Sequence, residues 1–280
     1  MKILVTGGSG HVGQTVIRHL KEAEHEVVNL DRQRPSEWIC RTVQADLTDA
    51  GQVYDVLAAQ RPEAVVHLAA DPSPYARARH VQFMGNVGIA HAVMQACGDL
   101  GVRRIVYASS EQASGWTSAH ALPPKLPVDE ETMTPPHTAY ALSKYVGEII
   151  LESVAASHAG TIASSLRLNF VSNPESMERM RQRHPEEHSS PNLWAYVDSR
   201  DVAEAVSSAL RSEREGHRAY NICAADTMCH IPTRELVDRW FGVETQLPDD
   251  FPPFGSLVDC SRAERELGWK PEFTWRTEIV

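Results

Sequence analysis

The sequence predicts an α/β protein built on a doubly wound parallel sheet, and three observations predict it. A glycine-rich turn, Thr6-Gly7-Gly8-Ser9-Gly10-His11-Val12-Gly13, joins a short apolar strand to a helix. Apolar runs of strand length then alternate with helical stretches through the first half of the chain. A second apolar strand ends in a carboxylate, Asp31, about twenty residues beyond the turn, the spacing of a ribose-reading acid in such folds.

The elements follow in order. A strand over Lys2–Val5 leads through the turn into a helix over Val12–Lys21, then a strand over Glu26–Asp31. A strand over Thr42–Ala45, a helix over Asp49–Gln60 and a strand over Ala64–Leu68 come next, followed by a long helix over Arg77–Leu100 and a strand over Arg104–Ala108. Strands separated by helices of this length are joined by right-handed crossovers and pair in parallel. Residues 111–137 are rich in proline and lack a helical period, which reads as a long loop beside the site. Beyond it the pattern gives a helix over Thr138–His158, a strand over Thr161–Leu168, a polar stretch with a basic run over Asn169–Leu193 and a helix over Asp198–Arg211. Short pieces then run to Leu267-Gly268-Trp269. The division expected is a nucleotide-binding domain over residues 1–168. Residues 169–280 would combine a small C-terminal substrate-binding lobe with elements returning to the sheet.

The glycine turn is a dinucleotide site in this context. Gly7, Gly10 and Gly13 allow the tight turn, the close approach of backbone N–H groups to a pyrophosphate and the packing of helix on strand. The phosphates would sit on the positive end of the helix that starts near His11 and Val12. Asp31 would accept hydrogen bonds from the adenosine ribose and repel a 2′-phosphate, which favours NAD over NADP. Arg32 and Arg34 beside it pull the other way, since a guanidinium can pair with that phosphate.

Composition narrows the function classes. The 280 residues carry a formal net charge of −10, a field that opposes nucleic acid and anionic membrane as partners. No apolar run is long enough to span a bilayer, and the chain starts directly on a strand, so a soluble cytoplasmic protein is expected. Five scattered cysteines, none in a CxxC pair, suit reduced thiols. The thirteen histidines read as surface and core residues, and no metal site is predicted.

Tyr140-Ala141-Leu142-Ser143-Lys144 places a phenol and an ammonium four residues apart, on one helix face. Its position after the strand that ends in Ser109-Ser110 puts it at the strand ends, where such sheets bind ligands. With these motifs the chain resembles the extended short-chain dehydrogenase/reductase superfamily, in its NAD-dependent epimerase/dehydratase branch. The resemblance also takes in Ala45-Asp46-Leu47, His67-Leu68-Ala69-Ala70, Asn86-Val87-Gly88, Tyr107-Ala108-Ser109-Ser110, Tyr196-Val197-Asp198 and Leu267-Gly268-Trp269, and so covers most of the chain.

The resemblance implies a Rossmann sheet holding NAD, and roles for particular residues. Tyr140 would be the general acid/base that takes a proton from a substrate hydroxyl. Lys144, together with the cationic nicotinamide, would lower the phenol's pKa, ordinarily near ~10, and it could also hold the nicotinamide ribose. Ser110 would orient the reacting oxygen. Asp46 and Leu47 would contact adenine, Leu68, Ala69 and Ala70 would line the cofactor channel, and Asn86 would steady the catalytic region. Asp46 also fits a cap for the helix beginning near Asp49.

Departures from the family pattern bear on the reaction. Dehydratases of this branch carry an Asp-Glu pair after the serine or threonine. This chain has Glu111-Gln112, and glutamine cannot act as a base, so sugar dehydration is not expected, although both side chains could touch substrate. The segment from Ser172 to Trp194 is short for the strand and helix that cradle a nucleotide diphosphate, which suggests a free sugar or sugar acid, as in uronate dehydrogenases. Arg179, with Arg181 and Arg183, could offer a carboxylate a guanidinium fork, and Ser73 and Asn169 could meet sugar hydroxyls. The leading expectation is an NAD-dependent oxidoreductase of a free sugar or sugar acid. The alternatives are a nucleotide-sugar 4-epimerase with tightly bound NAD and a non-catalytic NAD-binding scaffold. The two long helices often pair across a dimer interface in this superfamily, so a homodimer is expected.

Overall fold

Strand β1 (Lys2–Thr6) enters the glycine turn and helix α1 (His11–Glu22) leaves it. They are followed by β2 (Glu26–Asp31), β3 (Arg41–Gln44), α2 (Ala50–Gln60), β4 (Ala64–His67), α3 (Arg79–Asp99) and β5 (Arg104–Ser110). A 3₁₀ turn over Glu111–Ser114 precedes α4 (Ala139–Ser157), β6 (Ile162–Leu168), β7 (Phe170–Ser172) and α5 (Pro174–Gln182). The chain continues with β8 (Tyr196–Asp198), α6 (Ser199–Arg211), β9 (Gly216–Ile222), α7 (Thr233–Trp240) and α8 (Ser261–Leu267). This computed structural model describes residues 1–72, 78–117, 123–182, 192–241 and 247–276.

Seven strands form one parallel sheet in the order β3-β2-β1-β4-β5-β6-β9. The order reverses direction between β1 and β4, and that switch point opens a crevice at the strand ends. Helices cover both faces, as a parallel sheet requires. The strand period of two sorts the side chains: Ile3 and Val5 of β1 pack with Val16, Ile17 and Leu20 of α1 and Val202 and Val206 of α6. Leu4, between them, packs on the other face with Val53 and Leu57 of α2 and Val93 of α3.

In the first half of the chain the elements fall where the hydrophobic pattern puts them, with ends shifted by a residue or two. Asp49 caps α2 through the N–H groups of Gly51 and Gln52. Asp46 holds the turn just before it, accepting from Thr48 N at 3.0 Å and Thr48 Oγ1 at 2.8 Å.

The second half corrects the sequence reading. The polar stretch over Asn169–Leu193, given no element from the sequence, opens with β7 and α5, and α5 lies within the Ser172–Trp194 segment expected to lack room for a helix and strand. β7 pairs in parallel with β8, Phe170 against Tyr196 and Ser172 against Asp198, in a separate two-stranded sheet. The 111–137 region is a long loop as expected, apart from the 3₁₀ turn, and among its described residues it is tied down: Val128 donates its N–H to Leu257 O at 2.8 Å, and Thr134 donates to Ser114 O at 2.8 Å. A further core of Trp116, Val128, Trp194, Leu236, Leu257 and Val258 joins that region to the C-terminal segments. Trp269 returns to the main core and donates its indole N–H to Asp201 O.

Candidate active site

A cleft of about 770 Å³ follows the strand ends from the β1 turn to β6. At one end, Gly7 takes φ +72°, and a Cβ there would lie 2.7 Å from Ala69 N. A Cβ on Gly13 would come within 2.4 Å of Gly7 O, so only glycine lets α1 start against this loop. Gly10, His11 and Val12 line the same wall. Asp31, at the end of β2, accepts hydrogen bonds from Ser9 N at 3.0 Å and Gln33 N at 2.9 Å, so one carboxylate ties the turn to the next strand while facing the cleft. Arg32, Asp46 and Leu47 lie alongside, with Gln33 and Thr48, which the sequence did not single out.

Leu68, Ala69 and Ala70 form the middle of the cleft, where the chain leaves β4. Asn86 of α3 reaches across this segment. Its Oδ1 accepts from Asp71 N at 2.8 Å, and its Nδ2 donates to Asp71 O and to Ser143 Oγ on α4. Ser143 Oγ in turn donates to Tyr140 O at 2.7 Å. The side chain expected to steady the site therefore spans α3, the β4 exit and the first turn of α4.

Thr138 caps α4 by accepting from Ala141 N, which aims Tyr140 and Lys144 at the strand ends. Lys144 is buried and donates to Ala108 O of β5 at 2.6 Å, with its ammonium 5.0 Å from the Tyr107 ring centre and 5.8 Å from that of Tyr140. Burial pulls the Lys144 pKa down to about 8, although the carboxylate of Glu148 holds it up. Ser110 closes β5 and caps the 3₁₀ turn; its hydroxyl donates to Glu111 Oε2 at 3.0 Å and accepts from Gln112 N at 3.2 Å.

The protein's own groups set the electrostatics at Tyr140. Burial, followed by the nearby Glu111 carboxyl, raises its pKa above the ordinary value, and hydrogen bonding with Ser110 only partly offsets this. Desolvating a phenolate outweighs the expected help from Lys144, whose ammonium is engaged by Ala108 O. Glu111 itself is buried, and that burial lifts its pKa to about 7.

Of the remaining expected contacts, Gln112 and Asn169 line the cleft. Asn169 is 2 % exposed; its Nδ2 donates to Ile222 O, while Oδ1 has no hydrogen-bond partner among the described residues. Arg179 is a correction. It stands on the exposed side of α5, paired with Glu175 one turn back, and does not line the cleft. Arg181 turns to Glu178 and to Trp275 O. Ser73 and Arg183 lie outside the described residues. Phe170, Val171 and Asn192 complete the wall instead, brought there by β7 and the approach to β8. No sequence signal marked them, because their place depends on a pairing between distant segments. Among the described residues no group of His, Cys, Asp and Glu could hold a metal, and no helix is long and apolar enough to cross a membrane.

Residues 3–223 match the NAD dependent epimerase/dehydratase family. The chain belongs to that family. Relatives of this epimerase/dehydratase-family chain include UDP-glucose 4-epimerases from Corynebacterium glutamicum, 27% identical over 100% of this chain and 94% of the relative, and from Lactobacillus helveticus, 25% identical over 97% and 92%. Among solved structures, a short-chain dehydrogenase/reductase superfamily protein from Agrobacterium tumefaciens with bound NAD is similar, with a TM-score of 0.75 at 24% identity, covering 99% of this chain and 94% of that one. The Thermotoga maritima UDP-glucose 4-epimerase with UDP-glucose gives 0.74 at 22% identity, covering 98% and 94%. The structural likeness shows that the fold is shared.

Proposed function

We propose that this enzyme uses NAD to oxidise and re-reduce a ring hydroxyl of a nucleotide sugar, as a 4-epimerase. The observation that carries the reading is the convergence of Ser110, Tyr140 and Lys144 at the end of a glycine-turn cleft. The residues fit the cofactor. The Gly7–Gly13 loop and the α1 N-terminus would take the pyrophosphate, Asp31 the adenosine ribose, Asp46 and Leu47 the adenine, and Tyr140 and Lys144 the nicotinamide ribose. When bound, NAD supplies an acceptor for the hydrogen and electron pair leaving the substrate carbon. Ser110 orients the reacting oxygen, and Tyr140 accepts its proton and returns it. Lys144, fixed by Ala108 O, stabilises negative charge growing on the phenol oxygen. The epimerase reading is supported by the names of the relatives, which this chain matches over nearly their whole length, and by α5, a helix within the segment expected to lack room for one.

A second reading is oxidation of a free sugar or sugar acid, favoured by the brevity of the Ser172–Trp194 segment. Incubation with UDP-glucose, and separately with simple aldoses and uronates in the presence of NAD, distinguishes the two. The proposal expects UDP-galactose without net NADH; steady NADH formation from an aldose or uronate would overturn it in favour of the second reading. Tyr140→Phe should retain NAD binding by calorimetry and lose turnover by roughly 100-fold or more. We further propose a homodimer formed through α3 and α4, whose Val81, Met84, Leu142 and Ile149 are exposed.

A further inference from the structure

Lys144 has surroundings that its relation to Tyr140 does not explain. Thr6 of β1, His67 of β4 and Tyr107 of β5 stand at one register across three neighbouring strands, Thr6 opposite His67 and His67 opposite Tyr107. All three are buried, on the sheet face that otherwise holds Leu4, Val65 and Ile105. Thr6 Oγ1 lies 2.7 Å from His67 Nδ1, and the imidazole stacks on the Tyr107 ring, with ring centres 5.6 Å apart and planes 15° from parallel. The row ends on α4, where the Lys144 ammonium sits over the Tyr107 ring, 5.0 Å from its centre. One turn further along α4, Gly147 lets that ring come close: a Cβ there would fall 2.4 Å from Tyr107 Oη and 2.7 Å from Cζ.

We propose that Tyr107 is a positioning residue for Lys144: its ring face, backed by His67 and Thr6, holds the ammonium as a cation at the end of β5. This rests on the reading of Lys144 as the charge that steadies the Tyr140 oxygen and holds the nicotinamide ribose, and it applies to epimerase and dehydrogenase alike. The negative face of an aromatic ring attracts a cation, and the attraction is strongest where water is excluded. His67 contributes by staying neutral. Burial, and then the Lys144 charge, pull its pKa down to about 3, so no second cation stands behind the ring.

The lysine's charge needs that help. Burial pulls the Lys144 pKa down to about 8, with the Glu148 carboxylate holding it up. A lysine that titrates there loses its charge near neutral pH when one favourable contact is removed. The titratable and charged groups that face Lys144 are Tyr107 from β5, His67 from β4, and Tyr140 and Glu148 from α4; Arg167 of β6 acts on it through Glu148. Glu148 is itself paired with Arg167 at 2.8 Å, which draws on its negative charge, and the Tyr140 ring centre is farther off, at 5.8 Å. The Tyr107 ring is therefore the contact whose loss should be felt.

The test follows Lys144 directly, through the NMR shift of Cε in isotope-labelled lysine of the cofactor-free protein, the signal being assigned by its loss in Lys144→Met. In wild type it should titrate near pH 8. Tyr107→Phe keeps the ring and should titrate close to wild type, whereas Tyr107→Leu should titrate about one pH unit lower. Gly147→Ala, whose new Cβ pushes the ring off α4, should lower the titration as well. With NAD and a sugar that is turned over, the alkaline limb of kcat/KM should move to lower pH by the same step in Tyr107→Leu. An unshifted Lys144 titration in folded Tyr107→Leu would overturn the proposal, and so would a fall in Tyr107→Phe as large as that in Tyr107→Leu. If Tyr107→Leu does not fold, an unshifted titration in Gly147→Ala overturns it instead. A shifted titration together with no turnover by wild type carrying NAD would leave the ring's hold on Lys144 standing and overturn the functional reading alone.

Discussion

Asp31 shows how one side chain can tie the fold at the place where a ligand is proposed to bind. Its two carboxylate oxygens accept from Ser9 N and Gln33 N, so Asp31→Ala frees the glycine turn and, on the proposed ribose role, also removes the charge that would repel a 2′-phosphate. The expected outcome is weaker NAD binding and a lower ratio of NAD to NADP affinity, measured by calorimetry with each cofactor. Glu111 makes a separate prediction about stability. Its pKa rises from 4.5 to about 7 on folding, so the folded state binds its proton more tightly than the unfolded chain. The associated stability is fully present below pH 4.5 and is lost as pH rises through 7, at about 1.4 kcal/mol per pH unit between the two values. Glu111→Gln should therefore gain up to about 3 kcal/mol on wild type between pH 4 and pH 8, read from urea midpoints of the cofactor-free proteins. Tyr140 and Lys144 were legible because four residues of helix fix their relation. The titration of Glu111 was not, because desolvation depends on the elements that close over it.

At the scale of elements, the helix that carries Tyr140 and Lys144 is anchored by a buried ion pair that no sequence pattern indicated. Glu148, one turn beyond Lys144 on α4, accepts from Arg167 of β6 at 3.0 and 2.8 Å and from Ser109 Oγ of β5 at 2.6 Å. Arg167 also donates to Glu130 O, and Glu130 accepts from Asn221 N of β9. Glu148→Ala would leave Arg167 charged and buried. The expected loss is about 3–5 kcal/mol in chemical denaturation, partly recovered by adding Arg167→Met, as for other buried pairs. Failure of the second change to recover stability would show that the network acts other than by charge pairing. β7 and α5 were missed for related reasons. Three residues are too few to show a strand period, and β7 gains its partner only when β8 arrives from beyond residue 195. In α5 a buried Met177 is set among charged and polar neighbours, too little apolar sequence to show a stripe.

At the scale of the whole molecule, α3 and α4 pack on each other and on one face of the sheet while exposing Val81, Met84, Leu142 and Ile149. Light scattering should give twice the 31.1 kDa chain mass, and Met84→Glu together with Ile149→Glu should shift the protein toward monomer. A monomeric wild type would overturn the dimer. The amino-acid sequence by itself determined the parallel sheet, the nucleotide end of the cleft and the Ser110, Tyr140 and Lys144 set. Each is written in local terms: a hydrophobic period, a glycine spacing, or residues one helical turn apart. Tertiary structure alone decided the far wall of the cleft and the proton environment. Phe170 and Asn192 reach the cleft through pairing between distant segments, Arg179 is turned away from it, and Glu111 holds its proton near neutral pH because the surrounding elements exclude water.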